Sequence, residues 1–431
     1  MRTAAAPAAA LPERPYRPRA IAAFHALCAK LETRGVRIAR LREEELLRDA
    51  RARTGLHDFG DECFREPLRV LIDSIEREAR LHPVGRLITR ARLLSALCTR
   101  LRVQEYVRRH PQVLALELAP PVVIAGLQRT GTTMLHRLLA SDPGLRPVLA
   151  WEGMAPLRGR LVLGADVRRL QGKIGERVLS YMAPAFFAIH PAEADAPEED
   201  VLLLDIAFMS TTPEATMHVP TQAAWLERQD HTAAYEYFAL LLRILAHQGP
   251  VSRDRVAGSG PVRFVLKTPH HLEYLDVLRK VFPGVRVVQT HRDPARTLAS
   301  FCSMVWHGRG VFSDEVDARE VGAHWSRKVG RLLDRSMEAR GAAADEGFVD
   351  VSYYDLVADP VAAIRRLYDA LGLPFTPAVE ERMKVTRKAN PQHKYGAHRY
   401  RLEDYGLTSG GVEPLFARYR KRFAVPVEAS A

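Results

Sequence analysis

Two hydrophobic patterns follow one another along the chain. From about Arg19 to His110, apolar residues recur every three or four positions among Arg and Glu, as in PLRVLIDSIEREARL (67–81), which predicts amphipathic helices. After Pro111, helical stretches alternate with short apolar runs rich in Val and Ile. The runs are VVIAG (122–126), RFVLK (263–267), VRVVQ (285–289) and FVDVS (348–352). Apolar strands separated by helices are typical of a parallel sheet covered on both faces, so we predict an α/β fold with a helical N-terminal region.

This change of pattern divides the chain. We expect a disordered Ala/Pro/Arg-rich tail over residues 1–18, a helical region over 19–115 and an α/β domain over 116–425. The tail lacks the apolar segment of a signal peptide, and no window holds 18 uninterrupted apolar residues, so a transmembrane helix is not predicted. Four scattered cysteines without a CxxC pair fit reduced thiols in a cytoplasmic protein.

The charge balance bears on the kind of ligand. The 431 residues include 63 Lys and Arg against 51 Asp and Glu, which gives a net charge of +12. The basic residues are spread through the amphipathic segments and form no dense stretch interleaved with aromatics, which argues against a nucleic-acid partner. A positive balance suits an anionic small molecule equally well.

A candidate phosphate loop follows the first apolar strand. Gly126 opens the segment GLQRTGTT, in which Gly131 precedes Thr132 and Thr133, and a helical stretch follows. This is close to a nucleotide P-loop, where backbone N–H groups and a helix N-terminus face a phosphate. Thr132 stands where a P-loop has its Lys, and the positive side chain comes earlier, as Arg129. That difference argues against triphosphate hydrolysis. A plain glycine turn is the alternative interpretation.

Two further strand ends carry matching chemistry. Ligands of open parallel sheets bind outside the carboxyl ends of the strands. RFVLK ends at Lys267, and the strand VRVVQTH is followed by Arg292. Asp293 and Pro294 are typical of a helix start, and the predicted helix carries Ser300 about two turns later. Three strand ends therefore predict a P-loop-type sheet that binds several anionic groups.

These motifs together resemble the sulfotransferases that use 3′-phosphoadenosine 5′-phosphosulfate (PAPS). Their 5′-phosphosulfate loop, [K/R]-[S/T]-G-T-T, is matched by Arg129, Thr130, Gly131, Thr132 and Thr133. Their 3′-phosphate motif, an Arg with a Ser eight residues later, is matched by Arg292 and Ser300. The segment from Leu266 to Ser300 is especially similar to the bacterial and tyrosylprotein-type branch, and the resemblance covers roughly residues 118–420.

The resemblance implies a set of further expectations. In VSYYDLVADP it places Tyr353 near the adenosine, and HKYGAHRYRLEDYGL, with Lys394, resembles the basic loop that closes over the cofactor. It implies that PAPS is the co-substrate, that PAP is released and that no metal is needed; no cluster of residues has metal-ligand spacing. The partner would be a hydroxyl or amine acceptor that is a small molecule, a glycan or a lipid. Neither the acceptor nor the oligomeric state follows from the sequence.

The acceptor also needs a general base. In one branch of the family this is a Glu some twenty residues after the phosphate loop, and Glu152 lies 23 residues after Arg129. In the cytosolic branch a His lies two residues after the equivalent of Lys267; here that position is Pro269, and His270 follows. We therefore take Lys267, Glu152 and His270 as the candidate catalytic residues, with Glu152 preferred as the base. A structural role stays open for both candidate bases.

Two interpretations remain beside these. The acidic residues 198–200 either lie over the site or begin a helix, where carboxylates complement the helix dipole. For the whole protein, the alternatives to a sulfotransferase are a P-loop kinase or NTPase and a non-catalytic nucleotide-binding protein. A turnover assay and a comparison of ATP with PAPS binding separate them.

Overall fold

The structure is a computed structural model that describes residues 14–34, 38–159, 161–162, 165–249, 260–391 and 400–428. The strands in this part of the chain are β1 (Ala119–Gly126), β2 (Leu161–Val162), β3 (Ala165–Asp166), β4 (Arg263–Lys267), β5 (Arg286–His291) and β6 (Phe348–Ser352). Strands β4, β1, β5 and β6 form a parallel sheet in that order, and β2 and β3 form a small antiparallel hairpin. The predicted α/β fold with a parallel sheet is confirmed.

Apolar side chains of β1 are buried on both faces of the sheet. Val123 and Ala125 join one buried cluster, and Val122 and Ile124 join another on the opposite face. Both neighbours of β1 are parallel to it, so the carboxyl ends of β1, β4 and β5 meet at one edge. The residues that follow these strands are therefore brought together.

Four helices precede the sheet. They are α1 (Arg19–Glu32), α2 (Glu43–Thr54), α3 (Arg65–Glu78) and α4 (Pro83–Arg109). The apolar stripes of α2, α3 and α4, with Leu68, Leu71 and Ile75 on α3 among them, form a separate buried cluster, as the helical periodicity predicts. In the segment 1–18, for which we predict disorder, the described residue Arg17 donates to the Gly310 carbonyl over 2.9 Å.

The remaining helices pack on the sheet or extend from it. They are α5 (Thr132–Leu139), α6 (Ala150–Met154), α7 (Val167–Met182), α8 (Pro184–Ile189), α9 (Val201–Leu204), α10 (Thr212–Thr216), α11 (Pro220–Leu226), α12 (Thr232–His247), α13 (Leu275–Val281), α14 (Pro294–Arg309), α15 (Ala318–Ala342), α16 (Tyr353–Ala358), α17 (Pro360–Leu371), α18 (Pro377–Ala389) and α19 (Ser409–Phe423). Short 3-10 turns cover Glu62–Phe64, Pro111–Ala115, Asp205–Ala207, Pro269–Glu273 and Glu403–Tyr405. In the described ranges, no helix combines the length and the apolar character that a membrane span needs.

Candidate active site

The phosphate loop joins β1 to α5 in a conformation that depends on two unusual backbone positions. Arg129 and Gly131 have positive φ angles of 69° and 85°. A Cβ on Gly126 would lie 1.9 Å from Thr290 Oγ1, so only glycine fits between β1 and β5. Gly131 stands directly before α5, whose first turn has no side-chain cap. The N–H groups of that turn are therefore available to an anion.

The hydroxyl groups of the loop have different roles. Thr130 is buried, and its Oγ1 lies 2.6 Å from both the Leu127 carbonyl and Thr290 Oγ1, so this side chain ties the loop to β5. Thr132 is buried at the start of α5, whereas Thr133 is exposed. A bound phosphate would therefore meet the backbone N–H groups and the exposed Thr133 more readily than Thr130, whose hydroxyl is already engaged.

Arg292 and Tyr353 are brought to the same loop. The Arg292 guanidinium lies 4.1 Å from the centre of the Tyr353 ring, and its Nη1 donates to the Arg129 carbonyl over 3.0 Å. A Cβ on Gly131 would lie 3.3 Å from Tyr353 Cδ2. The predicted 3′-phosphate arginine, the predicted adenosine tyrosine and the phosphate loop are thus in contact.

The Arg292 guanidinium already holds a carboxylate. Its Nε and Nη2 donate to the two oxygens of Glu428 over 2.7 and 2.9 Å, and Tyr354 Oη donates to the same carboxylate over 3.1 Å. Burial opposes ionisation of Glu428, but the hydrogen bonds from Arg292 outweigh it and hold the pKa of this carboxyl below its ordinary value. Ser300 is buried, and its Oγ has no hydrogen-bond partner among the described residues. The pair Arg292 and Ser300 therefore has unused capacity for an anion with more oxygens.

Lys267 is buried at the end of β4, where its ammonium faces the acidic segment before α9. Its Nζ donates to Glu199 Oε1 over 2.8 Å, and its backbone N–H donates to Asp200 Oδ1 over 2.9 Å. Burial and the nearby Lys267 charge together lower the pKa of His136 to about 4. Because His136 is neutral, it adds no second positive charge near Lys267, and Glu199 balances the charge of the lysine.

Asp200 anchors this acidic segment. Its Oδ2 lies 2.8 Å from His271 Nε2, whose other ring nitrogen lies 2.8 Å from the Tyr235 hydroxyl, and all three side chains are buried. Burial raises the pKa of Asp200, but the His271 charge and hydrogen bond outweigh it, so the carboxyl ionises more readily than usual. Both sequence interpretations of the segment therefore apply: it precedes a helix, and Glu199 reaches the site.

Glu152 occupies a different position from the one expected of a base. It is buried, Oε1 accepts from Arg146 Nη2 over 3.0 Å and Oε2 accepts from the Leu149 N–H over 3.2 Å. Glu152 thereby caps the backbone N–H of Leu149 at the N-terminus of α6. Both carboxylate oxygens are thus engaged in local structure, and the geometry favours a structural role over the catalytic one predicted.

His270 lies nearer to Lys267, in the turn after β4. Its Nδ1 is 3.3 Å from Thr211 Oγ1, while its Nε2 is buried and has no partner among the described residues. Burial, with a smaller contribution from His231, holds the pKa of His270 well below its ordinary value, so the ring is neutral. Arg129 is exposed, with Nη1 3.4 Å from the Ile189 carbonyl, and Lys394 lies outside the described residues.

The model of the sulfotransferase family matches residues 120–377, which include the phosphate loop, Lys267 and Arg292. The chain belongs to the sulfotransferase family. The resemblance read from the motifs is therefore confirmed, and the protein is a sulfotransferase enzyme.

Relatives of this sulfotransferase are bacterial. The crystal structure of sulfotransferase STF9 from Mycobacterium avium is 28% identical, covers 91% of this chain and 99% of its own, and has a TM-score of 0.80. STF1 from Mycobacterium tuberculosis H37Rv is 32% identical over 89% of this chain and 100% of its own, with a TM-score of 0.76. Omega-hydroxy-beta-dihydromenaquinone-9 sulfotransferase Stf3 from Mycobacterium tuberculosis is 24% identical over 318 residues, 70% of this chain and 75% of Stf3.

An apolar cavity of about 750 Å³ adjoins the polar centre of the sulfotransferase. Glu199, Thr268 and His270 line its polar end. Apolar side chains from both parts of the chain line the rest, and these include Leu71, Ile75, Ile88, Leu179, Met182, Phe208, Phe301 and Met304. The N-terminal helices α3 and α4 thus form one wall of the cavity, a role that the sequence did not predict.

No group of three or more His, Cys, Asp or Glu side chains in the described ranges is arranged to hold a metal ion. The cationic groups at the sheet edge are instead Lys267 and Arg292, with Arg129 exposed beside them. All three were predicted from their places at or shortly after the strand ends. Glu199 was one of three acidic candidates, and only the fold distinguishes it from its neighbours.

Proposed function

We propose that this sulfotransferase moves a sulfuryl group from PAPS to a hydroxyl group on a largely apolar acceptor and releases PAP. One observation carries the proposal: Lys267 Nζ and Glu199 Oε1, 2.8 Å apart, stand where the edge of the sheet with the phosphate loop meets the apolar cavity. A charged donor and an apolar acceptor would have to meet at such a junction.

The phosphate loop and the two strand ends beside it fit the anionic donor. The residues assigned to it are Arg129, Thr130, Gly131, Thr132, Thr133, Arg292, Ser300, Tyr353 and Lys394. The uncapped first turn of α5 supplies N–H donors for a 5′-phosphosulfate, and the unpartnered Ser300 Oγ supplies one for a 3′-phosphate. When bound, PAPS supplies the activated sulfuryl group. The Tyr353 ring, beside both Arg292 and Gly131, is placed to stack on an adenine.

The cavity supports an apolar acceptor. Its lining is mostly aliphatic and aromatic, and its polar lining residues include Glu199, which binds Lys267. The relative Stf3 is named for a hydroxylated menaquinone, which is also a polar group on an apolar body. We therefore assign the acceptor to the lipid class among the small molecules, glycans and lipids that the sequence left open.

Glu199 and Lys267 divide the chemistry. The acceptor oxygen bonds to sulfur as the bond from sulfur to the bridging oxygen of the donor breaks, and PAP leaves with the negative charge. Lys267 stabilises that charge, as preorganised cations do in transition states. Glu199 takes the acceptor proton. It replaces Glu152 in this role, since Glu199 lines the cavity and Glu152 is not among the lining residues, and His270 orients the hydroxyl through its Nε2, which has no partner among the described residues.

The test is transfer of ³⁵S from labelled PAPS to lipid extracts. We expect label in an organic-soluble product, dependent on native enzyme and absent with Lys267→Met. A parallel reaction with γ-³²P-labelled ATP should leave the same extracts unlabelled. Transfer of ³²P in place of ³⁵S would establish a kinase and refute the proposal.

A further inference from the structure

Helix α7 carries an apolar stripe that faces away from the protein. Leu170, Ile174, Val178 and Tyr181 recur at helical spacing, and their exposed fractions are 58%, 53%, 49% and 55%. The outer face of a surface helix is ordinarily polar. Four neighbouring side chains of this size form a continuous exposed patch, which in soluble proteins marks an interaction site.

The opposite face of α7 is already used. Gly172 packs on Trp151, where a Cβ would lie 3.0 Å from Trp151 Cβ, and Met182 is buried in the core of the N-terminal helices. The Arg168 guanidinium lies 4.6 Å from the centre of the Trp151 ring. The helix is therefore attached to the protein by its inner face, and the outer stripe is not a mispacked part of the core.

The stripe lies at an opening of the acceptor cavity. Val178 belongs both to the stripe and to the cavity lining, and Met154 on α6 also lines the cavity while 49% exposed. Apolar side chains thus extend from the outer surface of α7 into the cavity, and Glu176 of the same helix is also among the lining residues. A ligand that enters here meets mostly apolar side chains.

A basic row runs beside the apolar stripe. Arg169, Lys173 and Arg177 follow one another at four-residue intervals, and all three are exposed. Asp195 pairs with the first two, at 2.6 and 3.3 Å, so the row keeps a net positive charge. An apolar face flanked by Arg and Lys is the pattern of helices that lie in the interface of a bilayer with anionic lipids.

We infer that the outer face of α7 docks on a bilayer surface that contains anionic lipids. Leu170, Ile174 and Tyr181 insert among the lipids, while the basic row meets the phosphate groups. The cavity mouth then faces the bilayer, so that an apolar acceptor enters without crossing water. The last step rests on the proposed function, since it takes the acceptor to be a lipid; the docking itself does not.

The test is flotation of the full chain with vesicles of phosphatidylcholine alone or with 30% phosphatidylglycerol. We expect wild-type protein to float with the anionic vesicles and to release as salt rises, because basic side chains near the surface contribute to binding. Ile174→Glu and Leu170→Glu should each weaken binding about tenfold or more, since each removes an inserted apolar side chain. Val385→Glu, a control at a residue 60% exposed on α18, should bind like wild type.

Three outcomes would overturn the inference. Wild-type protein could stay unbound to both vesicle types, or the α7 variants could bind as well as Val385→Glu. Sedimentation could also show a dimer that Ile174→Glu dissociates, in which case a second copy of the chain covers the stripe. PAP binding, measured separately on each variant, reports whether the variant is folded. If the wild-type protein does not bind PAP, the proposed function is contradicted, but the vesicle result still stands.

Discussion

The ammonium of Lys267 is buried at the end of β4, and Glu199 neutralises it there over 2.8 Å. Such a buried pair is costly to desolvate and gives little net stability, so it is better understood as a functional arrangement than as a structural brace. In the proposed reaction, donor anions would compete with Glu199 for the lysine, and an acceptor hydroxyl would compete with Lys267 for the carboxylate. Binding of both substrates would therefore separate the pair and free each group for its own part of the reaction.

Replacement of Lys267 by Met should separate chemistry from binding. We expect kcat to fall by about 10²–10³-fold, the usual cost of one preorganised charge donor, while the affinity for PAP changes little. Lys280→Met, at an exposed lysine of α13, is the matched control and should turn over normally. A Lys267→Met enzyme that loses affinity for PAP at an unchanged kcat would show that this lysine only binds the cofactor.

Two nearly isosteric variants distinguish the candidate bases. Glu199→Gln should lower kcat by about 10²–10⁴-fold at neutral pH and keep PAP binding, as for loss of a general base. Glu152→Gln should leave kcat within a few fold and lower the melting temperature, because it breaks the buried ion pair with Arg146. The reverse pattern, with an inactive Glu152→Gln and an active Glu199→Gln, would restore Glu152 as the base.

At the level of elements, the carboxyl ends of β1, β4 and β5 assemble the polar centre, and the segment after α19 crosses one side of it. The carboxylate of Glu428 on this segment is held by Arg292 and Tyr354, while its backbone N–H donates to Asp293 over 2.8 Å. The arginine assigned to the 3′-phosphate thus has a ligand before any nucleotide arrives. We therefore expect cofactor binding to be coupled to the position of this segment.

Variants of Arg292 and Glu428 should move PAP affinity in opposite directions. Arg292→Ala should weaken PAP binding by about 1.5–3 kcal/mol, the scale of a charge-assisted hydrogen bond. Glu428→Gln should tighten it several-fold, because the competing carboxylate loses its charge. Glu413→Gln, which alters a carboxylate bound to Arg420 on α19, serves as the control. Calorimetric titration that gives equal affinities for PAP and adenosine 5′-phosphate would refute the 3′-phosphate assignment.

The four strands of the parallel sheet could be predicted because each contains a short run rich in Val, Ile or Leu, whereas the two-residue strands β2 and β3 carry no such signal. The helix after Asp293 and Pro294 begins where predicted, since the Asp293 side chain accepts from the Ala295 N–H. The distance of Glu152 from the phosphate loop in the sequence could not show that its carboxylate forms an ion pair with Arg146. That pair depends on how the chain folds between the two residues. The cavity was equally hidden, as α3, α4, α7 and α14 contribute to it from distant parts of the sequence.

For the molecule as a whole, a buried charge network links helices on one side of the cavity. The Lys328 ammonium on α15 is fully buried and lies 2.8, 3.0 and 3.6 Å from carboxylate oxygens of Glu273, Glu227 and Glu214. These carboxylates come from the turn after β4, the end of α11 and α10. One cation thus joins three separate segments, and Arg327, Arg331 and His324 supply further partners for the same carboxylates.

Lys328→Met should therefore be among the most damaging single changes outside the active site. We expect the free energy of unfolding to fall by up to about 3–5 kcal/mol, the cost of removing one partner from a buried ion pair, because Arg327 and Arg331 compensate Glu227 and Glu273 only from their more exposed side. Lys384→Met removes an exposed lysine that pairs with Glu380 at 2.7 Å and should cost less than about 1 kcal/mol. Urea unfolding of the two variants checks this contrast; equal midpoints would mean that the network contributes nothing.

Acid should weaken the same network. Burial alone would raise the pKa of Glu227. The hydrogen bonds from Arg327 and the charge of Lys328 outweigh this effect and lower the pKa to about 2. A carboxyl with a lowered folded-state pKa stabilises the protein above its ordinary pKa of about 4.3, and this stability is lost as pH falls toward the folded value. Urea midpoints should thus fall from pH 5 to pH 3, and less steeply in Glu227→Gln. Parallel profiles would exclude Glu227 as a source of the acid sensitivity.

The strand order has a consequence for how the chain reaches its native state. The central strand β1 pairs with β4 and β5, whose first residues follow it by about 140 residues or more. Sheets closed by such distant pairings form slowly, because the chain loses loop entropy before the contacts between the strands stabilise it. During synthesis the apolar VVIAG run must wait, unpaired, until β4 and β5 have left the ribosome. We therefore expect newly made chains to be most prone to aggregation in this interval. The helices α2–α4 are synthesised before β1, and we expect the nascent apolar segment to make its first contacts with them.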